Sequence, residues 1–124
     1  ICCLIPNMPY SKNIKITRIV GAYLEHSRVW YFFNEGKEDI YLTSADWMQR
    51  NLHRRIEVAF PIYNESLKRE IIDILMIQLA DNRSAVWLDE NLNNIFKRDL
   101  TPEDAKHVRA QSATYDYLKK SKGQ

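Results

Sequence analysis

The run RVWYFFNEGKEDIYLTS, residues 28–44, constrains this chain more than any other stretch. Arg28–Phe33 and Asp39–Ser44 are rich in β-branched and aromatic residues and flank a loop that carries Gly36, which together read as a β-hairpin. Antiparallel pairing sets the start of the first strand beside the end of the second. His26, just ahead of the first strand, and Ser44, at the end of the second, are therefore expected at one end of a sheet. Asp46, Arg50, Asn51, Arg54 and Arg55 leave from that same end.

Other segments fill in around the hairpin. ICCLIP reads as a short buried strand stopped by Pro6, and NMPYSKN as a loop. IKITRIV is a strand by its β-branched content, and Gly21–Glu25 is expected to make a short helical turn. RRIEVAFPI is a further strand with Ile56, Val58 and Phe60 on one face and Pro61 as its stop. At Glu65 the period changes: Leu67, Ile71, Ile74, Leu75 and Leu79 recur at helical spacing, with Asn64 or Ser66 as N-cap. SAVWLD is a short edge strand and NLNNIFKRDLTPED is irregular. PEDAKHVRAQSATYDYLKK is a closing helix, acidic in its first turn and basic in its last, ahead of a frayed SKGQ tail. The order predicts one α/β (α+β layered) domain over residues 1–124, a mixed β-sheet packed by helices with a C-terminal helix.

Composition excludes several classes. A net charge of +2 is too small to argue for nucleic acid, which is not expected as a partner. No apolar run approaches the length of a membrane span, and the N-terminus is no signal peptide. Cys2 and Cys3 are adjacent and lack zinc-ligand spacing, so they read as buried thiols in a reducing compartment, and no metal site is assigned. Beginning on ICCLIP, an apolar run without a cap or lead-in, suggests a chain cut from something longer.

The polar residues gathered at the hairpin's end suit phosphate chemistry. An imidazole that titrates near neutrality can move a proton on a phosphate oxygen, and guanidinium forks can hold the others. Hydroxyl and amide donors complete such a cradle. By this reasoning His26 is the candidate catalytic residue. His26, Arg28, Arg50, Asn51 and Ser44, with either Arg54 or Arg55, are candidate phosphate-binding residues. Asp46 reads first as a structural group that orients Asn51 or an arginine, while Arg28 could pair with Glu25 or with phosphate. Arg54 and Arg55, taken as strand neighbours, face opposite ways, so at most one enters the site. His53 and His107 have no such company and read as surface histidines. Trp30, Tyr31, Phe32 and Phe33 must split between two faces, most of them into the core.

The order H-x-R, a hairpin, then S-A-D-W-x-x-R-N resembles the HKD signature of the phospholipase D superfamily, with Arg28 in place of its lysine and Thr43 in place of its glycine. The segments LEHSR, SADWM-RN, RRIEV and VRAQ…YDYL, together and in order, are similar to the C-terminal domain of bacterial polyphosphate kinases of the first type. That resemblance implies a phospholipase D-like half-domain, and an enzyme that reversibly moves the terminal phosphate of ATP onto polyphosphate. It implies magnesium and a phosphohistidine borne by another half of the enzyme. It matches His26 to a histidine on the nucleotide's phosphates and selects Arg55 as the arginine near them. Magnesium and adenine contacts are expected in segments outside this chain, so the fragment is expected to be inactive alone. The implied partners are ATP or ADP, polyphosphate, the rest of the kinase chain and further copies in a homo-oligomer. The implied place is the cytoplasm, or the periphery of the inner membrane. A paired phospholipase D-like phosphodiesterase and a non-catalytic polyanion-binding module are the rival readings.

Overall fold

The hairpin forms as its sequence requires, within a computed structural model that describes residues 4–121 and 123. In chain order the elements are β1 (Thr17–Ile19), β2 (Val29–Phe32), β3 (Asp39–Thr43), α1 (Gln49–Arg54), β4 (Ala59–Pro61), α2 (Glu65–Leu79), β5 (Ala85–Leu88), β6 (Asn94–Phe96) and α3 (Ala110–Ser121). Backbone contacts divide the chain into two compact units. One is built on Glu25–Ile72, the other on Ile5–Leu24 with the chain from Asp73 onward. The boundary falls within α2. The α+β class holds. Instead of one mixed sheet, the strands make two three-stranded sheets, ordered β2-β3-β4 and β1-β5-β6, in which every pairing is antiparallel. Each sheet contains one short hairpin, β2–β3 or β5–β6, whose connection permits only antiparallel neighbours, and a third strand joined through a longer connection.

In the first unit β2 pairs β3 with Val29 opposite Leu42 and Phe32 opposite Asp39. The loop between them turns through three successive left-handed residues, Asn34 (φ 43°), Glu35 (φ 55°) and Gly36 (φ 92°). Gly36 adopts this without steric penalty, and the Asn34 side chain donates to Asp39 at 2.6 Å. Ile40, Ala45 and Ile72 are the buried apolar residues here. Trp30 and Tyr31 are half-buried, but Phe32 and Phe33 are exposed, so the aromatic run goes less into the core than expected.

The strand read over RRIEVAFPI is shorter. Residues 49–54 form α1, Arg55 is its extended C-cap, and only Ala59–Pro61 pair with β3. Ile56 is 99% exposed, and Val58 and Phe60 are exposed as well, so the face expected to be the core points to solvent. Between them Glu57 is half-buried and held by two side-chain hydrogen bonds described below, so Ile56 and Val58 fall on the opposite side of the extended chain. Pro61 is the last residue of β4, opposite Tyr41, and ends the strand as expected.

α2 matches its predicted limits. Asn64 Oδ1 accepts from the backbone N–H of Ser66 and Leu67, at 3.0 and 3.1 Å, and so is the N-cap. Its apolar stripe is centred on buried Ile72, while Leu67 and Leu79 at its ends are exposed.

In the second unit β5 is central rather than an edge, because Asn94–Phe96, expected to be irregular, pairs with it as β6. Asp89 makes the turn: its Oδ1 accepts from the N–H of Asn91 and Asn93 at 2.9 and 2.8 Å. Gly21–Glu25 makes no helical turn, since its amides bond elsewhere. The closing helix starts at Ala110, eight residues later than expected from Pro102. Asn82 holds the preceding backbone, accepting from Val108 N–H at 2.9 Å and donating to Lys106 C=O at 2.9 Å. Its first turn therefore has no acid, although its last turn is basic as expected. The N-terminus is served instead by Asp81, 1% exposed, whose Oδ2 accepts from Ala110 N–H at 2.8 Å and whose Oδ1 accepts from the N–H of Arg83, Ser84 and Ala85. Burial pushes the Asp81 carboxyl up, but these four donors together hold it below its ordinary value. Lys97, also buried, donates to Leu79 C=O at the end of α2 and lies 4.3 Å from the Trp87 ring centre. Of the ICCLIP strand, Cys2 and Cys3 and residue 1 lie outside the described residues, and Leu4 and Ile5 are not in a strand.

Candidate active site

Every element of the first unit's sheet delivers a polar residue to the same end. The ladder continues past the strand limits: Thr43 N–H donates to Arg28 C=O and Ser44 N–H to Val58 C=O, each at 3.0 Å. Residues 28, 43–44 and 58 therefore lie side by side, and His26 precedes Arg28 by two residues on an exposed lead-in. The short turn after Ser44 and helix α1 carry Asp46, Arg50 and Asn51 to the same region.

Two carboxylates organise this end. Arg28 Nε meets Asp46 Oδ1 at 2.5 Å, its second nitrogen reaches Oδ2 at 3.4 Å, and its third donates to His26 C=O at 3.2 Å. One guanidinium thus ties the backbone at His26 to the turn after β3. The bond with Arg28 holds the Asp46 carboxyl below its usual range, with Arg50 and His26 adding to the effect, and Asp46 in turn raises Arg28. Asp46 is structural, as its residue type suggested, and its partner is Arg28 rather than Asn51. Arg28 pairs with Asp46 and not with Glu25.

The second carboxylate is Glu57, which is not among the residues expected from the sequence. Ser44 Oγ donates to its Oε2 and Asn51 Nδ2 to its Oε1 at 2.7 Å, while Val58 N–H donates to Ser44 Oγ at 3.1 Å. These bonds, Ser44 first and Asn51 second, hold Glu57 below the ordinary range, with Arg55 and Arg28 contributing charge. A lone acid inside an arginine-rich run, one step out of register with Ile56 and Val58, was the signal available. Asn51 is 4% exposed, and its Oδ1 has no hydrogen-bond partner among the described residues.

Arg50, Arg54 and Arg55 are exposed, and among the described residues none makes an ion pair. Arg54 closes α1 and Arg55 follows in extended backbone, so the strand alternation expected to separate them does not apply. Three arginines, Arg28, Arg50 and Arg55, lie near enough to act on the Asp46 and Glu57 carboxylates at this end, beside an exposed imidazole. Such an arrangement can hold a phosphate and present it to His26. His53 is exposed on α1 and His107 is exposed in a loop of the other unit. Among the described residues no three His, Cys, Asp or Glu side chains are grouped to hold a metal ion, and no helix is long and apolar enough to cross a membrane.

Comparison with known proteins bears on this geometry. A family model described as Polyphosphate kinase C-terminal domain 2 matches residues 1–111. The polyphosphate kinase of Yersinia pestis is 48% identical over 119 residues, which are 95% of this chain and 17% of that protein. The polyphosphate kinase of an Exiguobacterium species is 54% identical over 118 residues, 94% of this chain and 16% of that one. The crystal structure of polyphosphate kinase from Porphyromonas gingivalis matches with a TM-score of 0.90 at 56% identity, covering 99% of this chain and 18% of that chain. The chain thus spans less than a fifth of the length of each of these relatives.

Proposed function

We propose, from the premise that this chain belongs to the polyphosphate kinase family through its C-terminal domain, that it forms one wall of a site where the terminal phosphate of ATP passes reversibly to polyphosphate. His26 meets the transferring phosphate and moves a proton on its oxygens. Arg50 and Arg55, whose guanidiniums are not taken by carboxylates, hold the phosphate oxygens. Arg28, Ser44 and Asn51 stand beside them and fix the frame, each engaged with Asp46 or Glu57. The observation that carries the reading is this division at one sheet end: paired groups form a scaffold, and unpaired cations surround an exposed histidine.

Magnesium, in this reading, arrives on the ATP phosphates and is held by parts of the enzyme outside this chain, as is the phosphorylated histidine. The working enzyme is a cytoplasmic homo-oligomer, and the 124-residue chain alone makes no polyphosphate. The test is ATP-dependent polyphosphate synthesis by the full-length enzyme carrying His26→Ala. Transfer should be abolished while circular dichroism stays native. Near-normal turnover in a folded His26→Ala enzyme would overturn the assignment, and so would steady synthesis by the isolated chain that His26→Ala removes.

A further inference from the structure

Within the second unit, α3 and the chain from Asp73 to Ala80 run antiparallel. Tyr117 Oη donates to Asp73 Oδ2 at 2.9 Å at one end of the pair. At the other end Asn82 N–H donates to Val108 C=O at 3.1 Å and Ala110 N–H donates to Asp81. Between them lies an open groove of about 1000 Å³. Asp73, Met76, Ile77 and Ala80 line one side, and Arg109, Ser112, Ala113, Asp116, Tyr117 and Lys120 line the other. Both sets recur at i, i+3, i+4 and i+7, so each side presents one continuous helical stripe to the groove.

The lining combines two kinds of surface. Met76, Ile77, Ala80, Val108 and Ala113 make much of it apolar, and Met76 is 47% exposed. Arg83, Lys106, Arg109 and Lys120 bring four cations, all exposed, and among the described residues none makes an ion pair. Against them stand Asp73, which already accepts from Tyr117, and Asp116. The groove therefore joins an apolar stripe to unanswered positive charge. Exposed apolar surface rimmed in this way marks an interaction site.

The pattern selects the occupant. A phosphate or a polyphosphate chain would answer the cations but leave the apolar stripes wet. A helix answers both. Its own side-chain ridges fit between two stripes of helical spacing, and the stretch from Asp73 to Ala80 spans about 10 Å, two turns of helix. Acidic residues flanking its apolar stripe would meet Arg83, Lys106, Arg109 and Lys120. The relatives supply the source: this chain covers 17% of the Yersinia pestis kinase and 18% of the Porphyromonas gingivalis chain, so most of an enzyme of this family lies outside it.

We infer that this groove seats an acidic amphipathic helix from the part of the kinase chain outside these 124 residues. The inference rests on the reading of this chain as one wall of a larger enzyme, and not on the role of His26.

The test reads contact rather than turnover. A zero-length carbodiimide joins a lysine amine to a carboxylate that touches it, and mass spectrometry of the digest names both residues. In the full-length enzyme Lys106 or Lys120 should be joined to an Asp or Glu outside this chain, in a segment whose apolar residues recur at i, i+3, i+4 and i+7. Ser112→Cys should react with a maleimide roughly tenfold or more slowly in the full-length enzyme than in the 124-residue chain. Reversing the rim with Arg83→Glu and Arg109→Glu should restore fast reaction in the full-length enzyme. Equal Ser112→Cys rates in the two chains overturn the inference. So does a cross-link to a second copy, to a separate protein or to a segment without that period, or protection that charge reversal leaves in place. Where the 124-residue chain does not fold alone, the full-length rates with and without the charge reversal carry the test, and equal rates overturn the inference. Normal turnover in His26→Ala with these cross-links intact removes the role of His26 and leaves the helix in its groove. An inactive, folded His26→Ala enzyme without the cross-links does the reverse.

Discussion

Replacing Asp81 tests how the second unit holds its helix and sheet together. Its carboxylate accepts four backbone N–H groups, from Arg83, Ser84, Ala85 and Ala110. Ala85 and Ala110 are 1% and 2% exposed, so Asp81→Ala leaves two donors with neither carboxylate nor water. An unsatisfied buried donor costs roughly 1–3 kcal/mol, which puts Asp81→Ala near 4 kcal/mol, against a typical domain stability of about 5–15 kcal/mol. Asp81→Asn can keep its oxygen on three donors but turns an amide N–H toward that of Ala110, a loss of about 2 kcal/mol. In urea, with a slope of roughly 2 kcal/mol per molar, the midpoint of the 124-residue chain should fall by about 2 M for Asp81→Ala and about 1 M for Asp81→Asn. The carboxyl is held below its ordinary value of 3.8, so its contribution is complete above that pH and fades as pH falls through the lower folded value. The gap between Asp81 and Asp81→Asn should therefore narrow on acidification below 3.8. An Asp81→Ala midpoint within about 0.3 M of the unaltered chain, or an Asn variant less stable than the Ala variant, would refute the account.

Two further changes probe other elements. Glu57→Ala should lower the urea midpoint more than Glu57→Gln, because the Ala variant leaves the buried Asn51 amide and the Ser44 hydroxyl without their acceptor; equal midpoints would show that Glu57 organises nothing. Leu92 is half exposed and sits at φ 61° in the β5–β6 turn, so Leu92→Gly should raise the midpoint by about 0.5 kcal/mol equivalent, as relief of the left-handed conformation outweighs the added chain entropy. A lower midpoint would mean that Leu92 packs more than its exposure indicates.

What was legible in the sequence follows the range of the interactions concerned. The β2–β3 hairpin and the Asn64 cap of α2 depend on neighbours within a few residues, and both could be read from those neighbours alone. The β5–β6 hairpin is equally local, yet its sequence looks irregular. Its turn is made by the Asp89 side chain rather than by a glycine, and a polar run such as DENLNN hides that geometry. Gly21–Glu25 is illegible for the opposite reason: the partner of its amides is Gln111, 88 and 89 residues away. The late start of α3 has the same origin, since Asn82 takes the backbone that Pro102 seemed to open for a helix. At the site, residue types indicated His26 and the arginines, but the pairings were not visible. Nothing local tells Arg28 that Asp46 rather than Glu25 is its partner.

Those pairings decide how phosphate can be held. A phosphate entering beside two carboxylates is repelled unless their charge is already answered. Asp46 is answered by Arg28 through two nitrogens, so that pair is nearly neutral and its guanidinium has little left to offer. Glu57 is met by a hydroxyl and an amide, which carry no charge, so its negative charge is offset only through space, by Arg55 first, whose guanidinium makes no ion pair among the described residues and keeps its donors free. Ser44 and Asn51 cannot give the same protons to Glu57 and to a phosphate. Their hydrogen bonds set the approach to β4 instead, through Val58 and Glu57, and so fix where Arg55 begins. In the proposed site, phosphate recognition then rests on the guanidiniums left free, and the carboxylates act by deciding which ones those are.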